Sequence, residues 1–363
     1  MKITSVEVLT AMMPRAVPRG YENRRWEELP TIVAIVRTDT GIEGIGHTIT
    51  LNHEFTRSLA TMVGELGESL IGLDPRRTEQ CLGKMLYPAN WVGPGGMLNI
   101  AACAIDIAIW DIVGKDLGQP LWRLLGGATD RVRVYESGML IGVDIDTIQR
   151  GAEAALKAGY RAMKMRPGPD RHGRAADAVA RVRAVRDVIG YDVDLMYDVN
   201  QTWTPSRAIQ VGRALEPFEL FWIEDPTLMH DVVGQAAIAR ALDVPVCAGE
   251  YHYDMPPLLK LLEARAVDYL MVDMMRMGGI TQFRKVAAMA EAFGVPVASH
   301  LIPEVFCHCI AAIPNGLIVE GMPWTQGLFC GLPDLVDGKL VLSERPGHGL
   351  ELDPDAVRRL RVS

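Results

Sequence analysis

The chain lacks both glycine-rich signatures of bound nucleotide phosphate: no G-x-G-x-x-G follows a strand, and there is no G-x-x-x-x-G-K-[ST]. Nothing in it therefore implies a nucleotide cofactor. It also lacks any C-x-x-C pair. Its six cysteines (Cys81, Cys103, Cys247, Cys307, Cys309, Cys330) form no secreted-domain framework and read as isolated thiols in a reducing cytoplasm. Cys307, His308 and Cys309 are neighbours, yet helix positions two apart do not face the same way and no partner pair follows. They are read as helix packing rather than as a zinc cluster. Positive charge is in deficit, with 37 bases against 45 acids and a net charge of −8. That balance excludes a general nucleic-acid or polyanion binder, and an anionic substrate would need a local positive site. No apolar run is long enough to span a bilayer. The longest, residues 100–114, contains Asp106 and Asp111 and reads as a core helix. The N-terminal apolar run carries Glu7 and lacks a small-residue cleavage site, so it does not read as a convincing signal peptide. The expectation is a cytoplasmic protein with no membrane and no nucleic acid among its partners.

What is present suits a soluble globular protein: 49% apolar and 23% charged residues over 363 positions, long enough for two domains of which one is a large barrel. Residues 1–10 and 31–37 read as strands, and the Pro- and Arg-rich residues 11–30 as a loop between them. Helical patterns fill most of 54–125. From about residue 131 the texture becomes strand and helix in alternation. Eight apolar strands (131–138, 162–166, 193–198, 220–224, 245–250, 268–273, 296–300, 317–320) alternate with helical stretches such as 174–189, 205–216, 231–241, 256–264, 280–292 and 304–312. That pattern predicts a (β/α) barrel with its chemistry at the C-terminal ends of the strands. The expected division is a capping domain over 1–128, a barrel over 129–325, and a tail over 326–363 that returns to the cap.

Three acids, Asp198, Glu224 and Glu250, follow one another at intervals of 26 residues, each closing an apolar strand. One strand plus one helix per interval brings the three carboxylates to the same rim of a barrel. Like charges packed together raise one another's pKa, so no stability argument favours the trio. A divalent cation removes the conflict, and hard oxygen ligands point to Mg²⁺. The other strand ends carry Tyr135 and Ser137, Lys164 and Arg166, Asn200, Asp273, His300 and Glu320. Lys164 and Arg166 are two apart on one strand and both point inward. Ser137 and Asn200 are candidate substrate or metal-shell contacts, with local strand-end hydrogen bonds as the equal alternative.

The chain resembles the enolase superfamily, mandelate racemase subgroup, along nearly its full length. The matching pieces are KMR at 164–166, YDVNQ at 197–201, WIEDPTLMHD at 222–231, CAGE at 247–250, VDMMRMGGIT at 272–281, SHLIPE at 299–304 and VEG at 319–321. The resemblance implies a modified (β/α)7β barrel of TIM type under an α+β capping domain built from both termini. It places metal ligands on Asp198, Glu224 and Glu250, a catalytic dyad on His300 and Asp273, a second acid–base group on the Lys164/Arg166 strand, and a carboxylate-facing acid on Glu320. Relatives are commonly dimers or octamers, so a homo-oligomer is expected.

In such chemistry a base takes the proton next to a carboxylate, and the enediolate that forms is stabilised by Mg²⁺, by cationic Lys164 and by a protonated Glu320. His300 serves as base near neutral pH, and Asp273 fixes its tautomer. The racemase pattern has Lys where this chain has Arg166, and Arg is a poor base. One-base chemistry follows: dehydration of an acid sugar, an aldonate or aldarate, to a 2-keto-3-deoxy acid. The alternatives are a racemase or epimerase of a 2-hydroxy acid and a non-catalytic, metal-bound sugar-acid binding protein. Arg19, Tyr21 and Arg24 in the 11–30 loop, and His47 in the next loop, are expected to form a polar lid suited to hydroxyls or a second carboxylate.

Overall fold

The computed structural model describes residues 1–19, 26–51, 53–141, 144–168 and 174–362. The capping domain begins with three antiparallel strands, β1 (Ile3–Arg19), β2 (Trp26–Thr38) and β3 (Glu43–Ile49). Helices α1 (Thr56–Glu68), α2 (Thr78–Leu86), α3 (Ala89–Val92), α4 (Met97–Asp116) and α5 (Leu121–Leu124) follow.

The expected 11–30 loop is largely strand. Pairing of β1 with β2 continues through Met12↔Pro30, Met13↔Leu29 and Pro14↔Glu28, and Arg19 faces Trp26 after a register shift. Proline is tolerated because, among the described residues, this stretch of β1 pairs on one side only, as on an edge strand. Tyr21 and Arg24 lie outside the described residues, as does the Arg19 side chain.

Helix α4 is the 100–114 run seen in the sequence. It is long and apolar enough to cross a membrane, but most of it is buried inside the protein. Strand β3 lies so close that a Cβ on Gly46 would sit 2.2 Å from the Ala104 carbonyl oxygen. The two acids of α4 are satisfied where they are buried. Asp106 accepts the Thr281 N–H at 2.9 Å and its hydroxyl at 2.6 Å. Asp111 accepts the Ile45 N–H at 3.0 Å and Lys115 Nζ at 2.6 Å. Each ties α4 to another part of the molecule.

The barrel alternates strand and helix: β4 (Arg131–Leu140), α6 (Ile145–Lys157), β5 (Ala162–Met165), α7 (Ala175–Ile189), β6 (Asp194–Asp198), α8 (Pro205–Leu215), β7 (Trp222–Glu224), α9 (Val232–Ala241) and β8 (Val246–Ala248). It continues through α10 (Met255–Glu263), β9 (Tyr269–Asp273), α11 (Met274–Met277), α12 (Ile280–Ala292), β10 (Val297–His300), α13 (Pro303–Ala311) and β11 (Gly316–Gly321). The eight strands are parallel in sequence order, and β11 pairs with β4 to close the ring. Seven helical crossovers join eight strands, which is the (β/α)7β form. One side chain per strand fills the barrel floor, from Tyr135 in β4 to Ile318 in β11, with Trp222 the largest. Above that plug, polar groups gather at the strand C-termini. Cys307, His308 and Cys309 are buried in α13 as packing, as the sequence implied.

In the tail, β12 (Phe329–Cys330) pairs with β15 (Glu351–Leu352), and the hairpin of β13 (Asp334–Val336) and β14 (Lys339–Val341) extends β4 on its open edge. Helix α14 (Pro354–Leu360) leads to β16 (Arg361–Val362), which pairs with Thr10 and Ala11 of β1.

Candidate active site

Apart from Tyr135, which lies in the barrel floor, the polar residues read from the strand ends arrive at one mouth. Lys164, in β5, is 2% exposed and surrounded by acids. Its Nζ lies 2.5 Å from Glu224 Oε1, 3.0 Å from Glu320 Oε1 and 3.7 Å from Asp198 Oδ2. Burial opposes its charge, but Glu224 and Glu320 outweigh burial and hold it well above the ordinary lysine value. Arg166 Nε lies 3.0 Å from Asp198 Oδ2. The end of β5 and the residue just after it thus supply two cations to the neighbouring acids.

The acids draw together at the β7 and β8 ends. Carboxylate oxygens of Glu224, Asp225 and Glu250 all lie within 4.8 Å of one another, and all three residues are buried. Glu224 Oε2 also accepts the indole N–H of Trp222 at 2.8 Å. Burial first, and then the adjoining carboxylates, push Glu224 up to about 8 against the pull of Lys164. Burial, Glu250 and Glu224 push Asp225 well above the usual carboxylate range. Among the described residues, Asp225 Oδ2 and Glu250 Oε2 are buried and accept no hydrogen bond. Crowded, under-donated carboxylate oxygens of this kind fit a hard divalent cation such as Mg²⁺. Asp198 stands beside this cluster with its Oδ2 turned to Arg166 and Lys164. Its Oδ1 accepts the N–H and the side-chain amide of Asn200, each at 2.9 Å.

Asp225 is the residue that sequence reasoning missed. Alternation along a strand points it away from Glu224, but its φ of 41° breaks the alternation and turns the chain back. The only signal was its place in the EDP of 224–226.

On the opposite side, His300 Nδ1 lies 2.7 Å from Asp273 Oδ2. Asp273 caps α11, its Oδ1 accepting the N–H groups of Met275 at 2.7 Å and Arg276 at 3.0 Å. With that acceptor fixed, Nδ1 carries a proton, and Nε2 faces Glu250 Oε2 at 3.5 Å. Burial lowers the His300 pKa, but Glu250, Asp273 and Glu320 overcome it and raise the imidazole to about 9. Arg276 stacks over the rings of Tyr251 and Tyr253, 4.9 and 5.5 Å from their centroids, with its Nε 3.7 Å from Asp273 Oδ2.

Two expectations are corrected. Glu320 is not a neutral donor: burial favours the protonated form, but Lys164, His300, the Ser137 hydroxyl at 2.6 Å and the Leu301 N–H at 2.8 Å hold its carboxyl far below the usual range. It receives hydrogen bonds rather than giving one. His47 is not in a lid loop. It lies within β3, 1% exposed, paired at 2.8 Å with the buried Glu304 of α13. Ser137 and Asn200 bond within the site, to Glu320 and to Asp198. Asn200 also reaches Tyr251 Oη at 3.3 Å.

Residues 3–126 match the mandelate racemase/muconate lactonizing enzyme N-terminal domain, and residues 147–356 match the enolase C-terminal domain-like model. The chain belongs to the mandelate racemase/muconate lactonizing enzyme family. Among curated members of this enzyme family, it is 35% identical over 334 residues to the 3,6-anhydro-alpha-L-galactonate cycloisomerase of Streptomyces coelicolor, covering 91% of each chain. It is 32% identical over 364 residues to the L-talarate/galactarate dehydratase of Salmonella typhimurium, covering 98% of this chain and 90% of that one. The crystal structure of the Salmonella dehydratase liganded with Mg and L-lyxarohydroxamate superposes with a TM-score of 0.93 at 31% identity, covering 100% of this chain and 93% of that chain.

Proposed function

We propose that this family member is a Mg²⁺-dependent acid-sugar dehydratase that converts an aldonate or aldarate to a 2-keto-3-deoxy acid. The observation that carries this reading is an asymmetry across the site. One face presents the Asp273–His300 couple, 2.7 Å apart, and the other presents Lys164 and Arg166, both engaged by carboxylates. His300 owes its raised value in part to Glu250, whose charge a bound cation would offset, whereas Lys164 and Arg166 hold their protons; one base on one face fits elimination better than exchange of a proton between two faces.

Asp198, Glu224 and Glu250 would hold the ion, with Asp225 completing the acidic cradle. Bound there, Mg²⁺ supplies Lewis-acid stabilisation for negative charge on the substrate carboxylate. The chain's own residues do the rest. His300 Nε2 takes the α-proton while Asp273 keeps Nδ1 protonated and the ring in plane. The C–H electron pair first forms the enediolate, and its collapse back to the carboxylate makes the new C=C bond as the β C–O bond breaks. The departing hydroxide takes a proton from the imidazolium and leaves as water, and the enol product tautomerises to the 2-keto-3-deoxy acid. Lys164 offers a fixed positive charge to the enediolate. Ionised Glu320 acts indirectly, by orienting Lys164, the Ser137 hydroxyl and the Leu301 N–H.

The test is a panel of aldonic and aldaric acids incubated with Mg²⁺ and assayed for 2-keto acid. The expected outcome is keto acid from at least one member, with His300→Asn slower by about two to four decades. Solvent deuterium entering unchanged or inverted substrate, with no keto acid formed, would overturn dehydration in favour of racemisation or epimerisation.

A further inference from the structure

The turn that follows His300 is strained. Leu301 and Ile302 have φ of 58° and 38°, the left-handed region, and neither is glycine. For a β-branched residue this conformation persists only where the surroundings over-determine it. On the barrel side the Leu301 N–H is held by Glu320 Oε2 at 2.8 Å. The other restraint comes from outside the barrel. Glu304, in the first turn of α13, is 0% exposed and pairs through Oε1 with His47 Nε2 at 2.8 Å, and the Thr325 hydroxyl donates to the same oxygen. His47 sits in β3 of the capping sheet, opposite Val33, with its ring 4.8 Å from that of Phe329. Burial opposes the Glu304 charge, yet His47 and Thr325 hold its carboxyl below the usual range.

A buried polar pair of this kind is a poor device for stability alone, since apolar residues of the same volume serve as well or better. What this pair does achieve is registration. It fixes the start of α13 against the capping sheet, four residues after His300 and two after the strained pair. We propose that His47 is a positioning residue: through Glu304 it clamps the turn after β10, so that the imidazole of His300 is aligned only when the capping sheet is docked. The inference rests on the reading of His300 as the base. It removes His47 from the substrate pocket and gives it a role at the domain boundary.

The experiment compares His47→Gln, Glu304→Gln, His300→Asn and the double variant His47→Gln/His300→Asn in the full-length, Mg²⁺-loaded protein. Turnover on a sugar acid that the wild type converts, KM, Mg²⁺ affinity by calorimetry and Tm are measured for each. In His47→Gln, kcat should fall about 10- to 100-fold, with KM and Mg²⁺ affinity within about threefold of wild type. In the double variant kcat should fall no further than in His300→Asn, because the clamp acts only through that imidazole. If His47→Gln does not fold, Glu304→Gln, which keeps the volume and a partner for Thr325, should give the same split. A folded His47→Gln with wild-type kcat, or losses that multiply in the double variant, would overturn the inference while leaving the chemistry intact. Full activity in His300→Asn would overturn the reading of the base, and this inference with it.

Discussion

At position 166 a guanidinium lies 3.0 Å from Asp198, while two residues earlier on the same strand Lys164 is enclosed by Glu224 and Glu320. These two cations decide the chemistry in different ways. Arg166 cannot give up its proton near neutral pH, so it closes the second face to base catalysis. Arg166→Lys should therefore introduce what the wild type lacks, exchange or inversion at the α-carbon, visible by NMR of recovered substrate in deuterated solvent. A folded variant that binds Mg²⁺ and still shows neither would remove the argument from base strength. Lys164→Met tests the other cation. It leaves Glu224 and Glu320 without their shared partner in a buried site, a loss of about 3–5 kcal/mol for a broken buried pair. Urea titration of the variant in excess EDTA reads that loss; a change below about 1 kcal/mol would mean the acids simply protonate. The 26-residue interval made Asp198, Glu224 and Glu250 legible because it counts strand–helix units. Asp225 and His47 were not legible, since one depends on a local left-handed turn and the other on which sheet face the cap presents to α13.

Elements were easiest to read where burial is two-sided. Most barrel strands run apolar up to the polar residues near their ends, as parallel strands covered on both faces do, and helices between them begin at side-chain caps such as Asp144, Thr204 and Asp231. The capping hairpin was misread because its composition is that of a loop and its pairing is long-range. Helix α4 shows how an element can be apolar throughout and still carry acids: Asp106 is 0% exposed, and burial raises it to about 7 despite two bonds from Thr281. Its folded pKa lies above the unfolded value of 3.8. The folded state therefore binds a proton that the unfolded state has released between those limits, and the contribution, complete below about pH 4, is lost as pH rises through about 7. Asp106→Asn cannot lose that proton. Its stability relative to wild type should rise from about pH 5 to pH 8 in a series of thermal melts, and parallel curves would contradict the assignment.

Across the whole molecule, closure of the barrel concentrates charge that only a cation reconciles. Around Glu224 and Glu250 the metal-free protein retains protons that free side chains would have lost: Glu224 is raised to about 8, and His300 to about 9 by Glu250, Asp273 and Glu320 against burial. The two shifts have the same sign for stability. A raised carboxyl contributes fully below its unfolded pKa, near 4.5, and loses the contribution as pH rises through about 8. A raised imidazole contributes fully below 6.5 and loses it through about 9. EDTA-treated protein should thus show a falling Tm from about pH 6.5 to 9. Mg²⁺ at about 100 times its Kd should add roughly 2.7 kcal/mol by mass action and flatten the fall. Positive charge delivered to Glu224 and Glu250 also removes the reason for holding those protons, so Mg²⁺ binding at neutral pH should expel them. Calorimetry in two buffers of different ionisation heat decides the matter. Apparent enthalpies that differ in proportion to the buffer heat, with affinity rising towards pH 8, are the expected result, and identical enthalpies at pH 7 would mean that the carboxylates are already bare before the ion arrives.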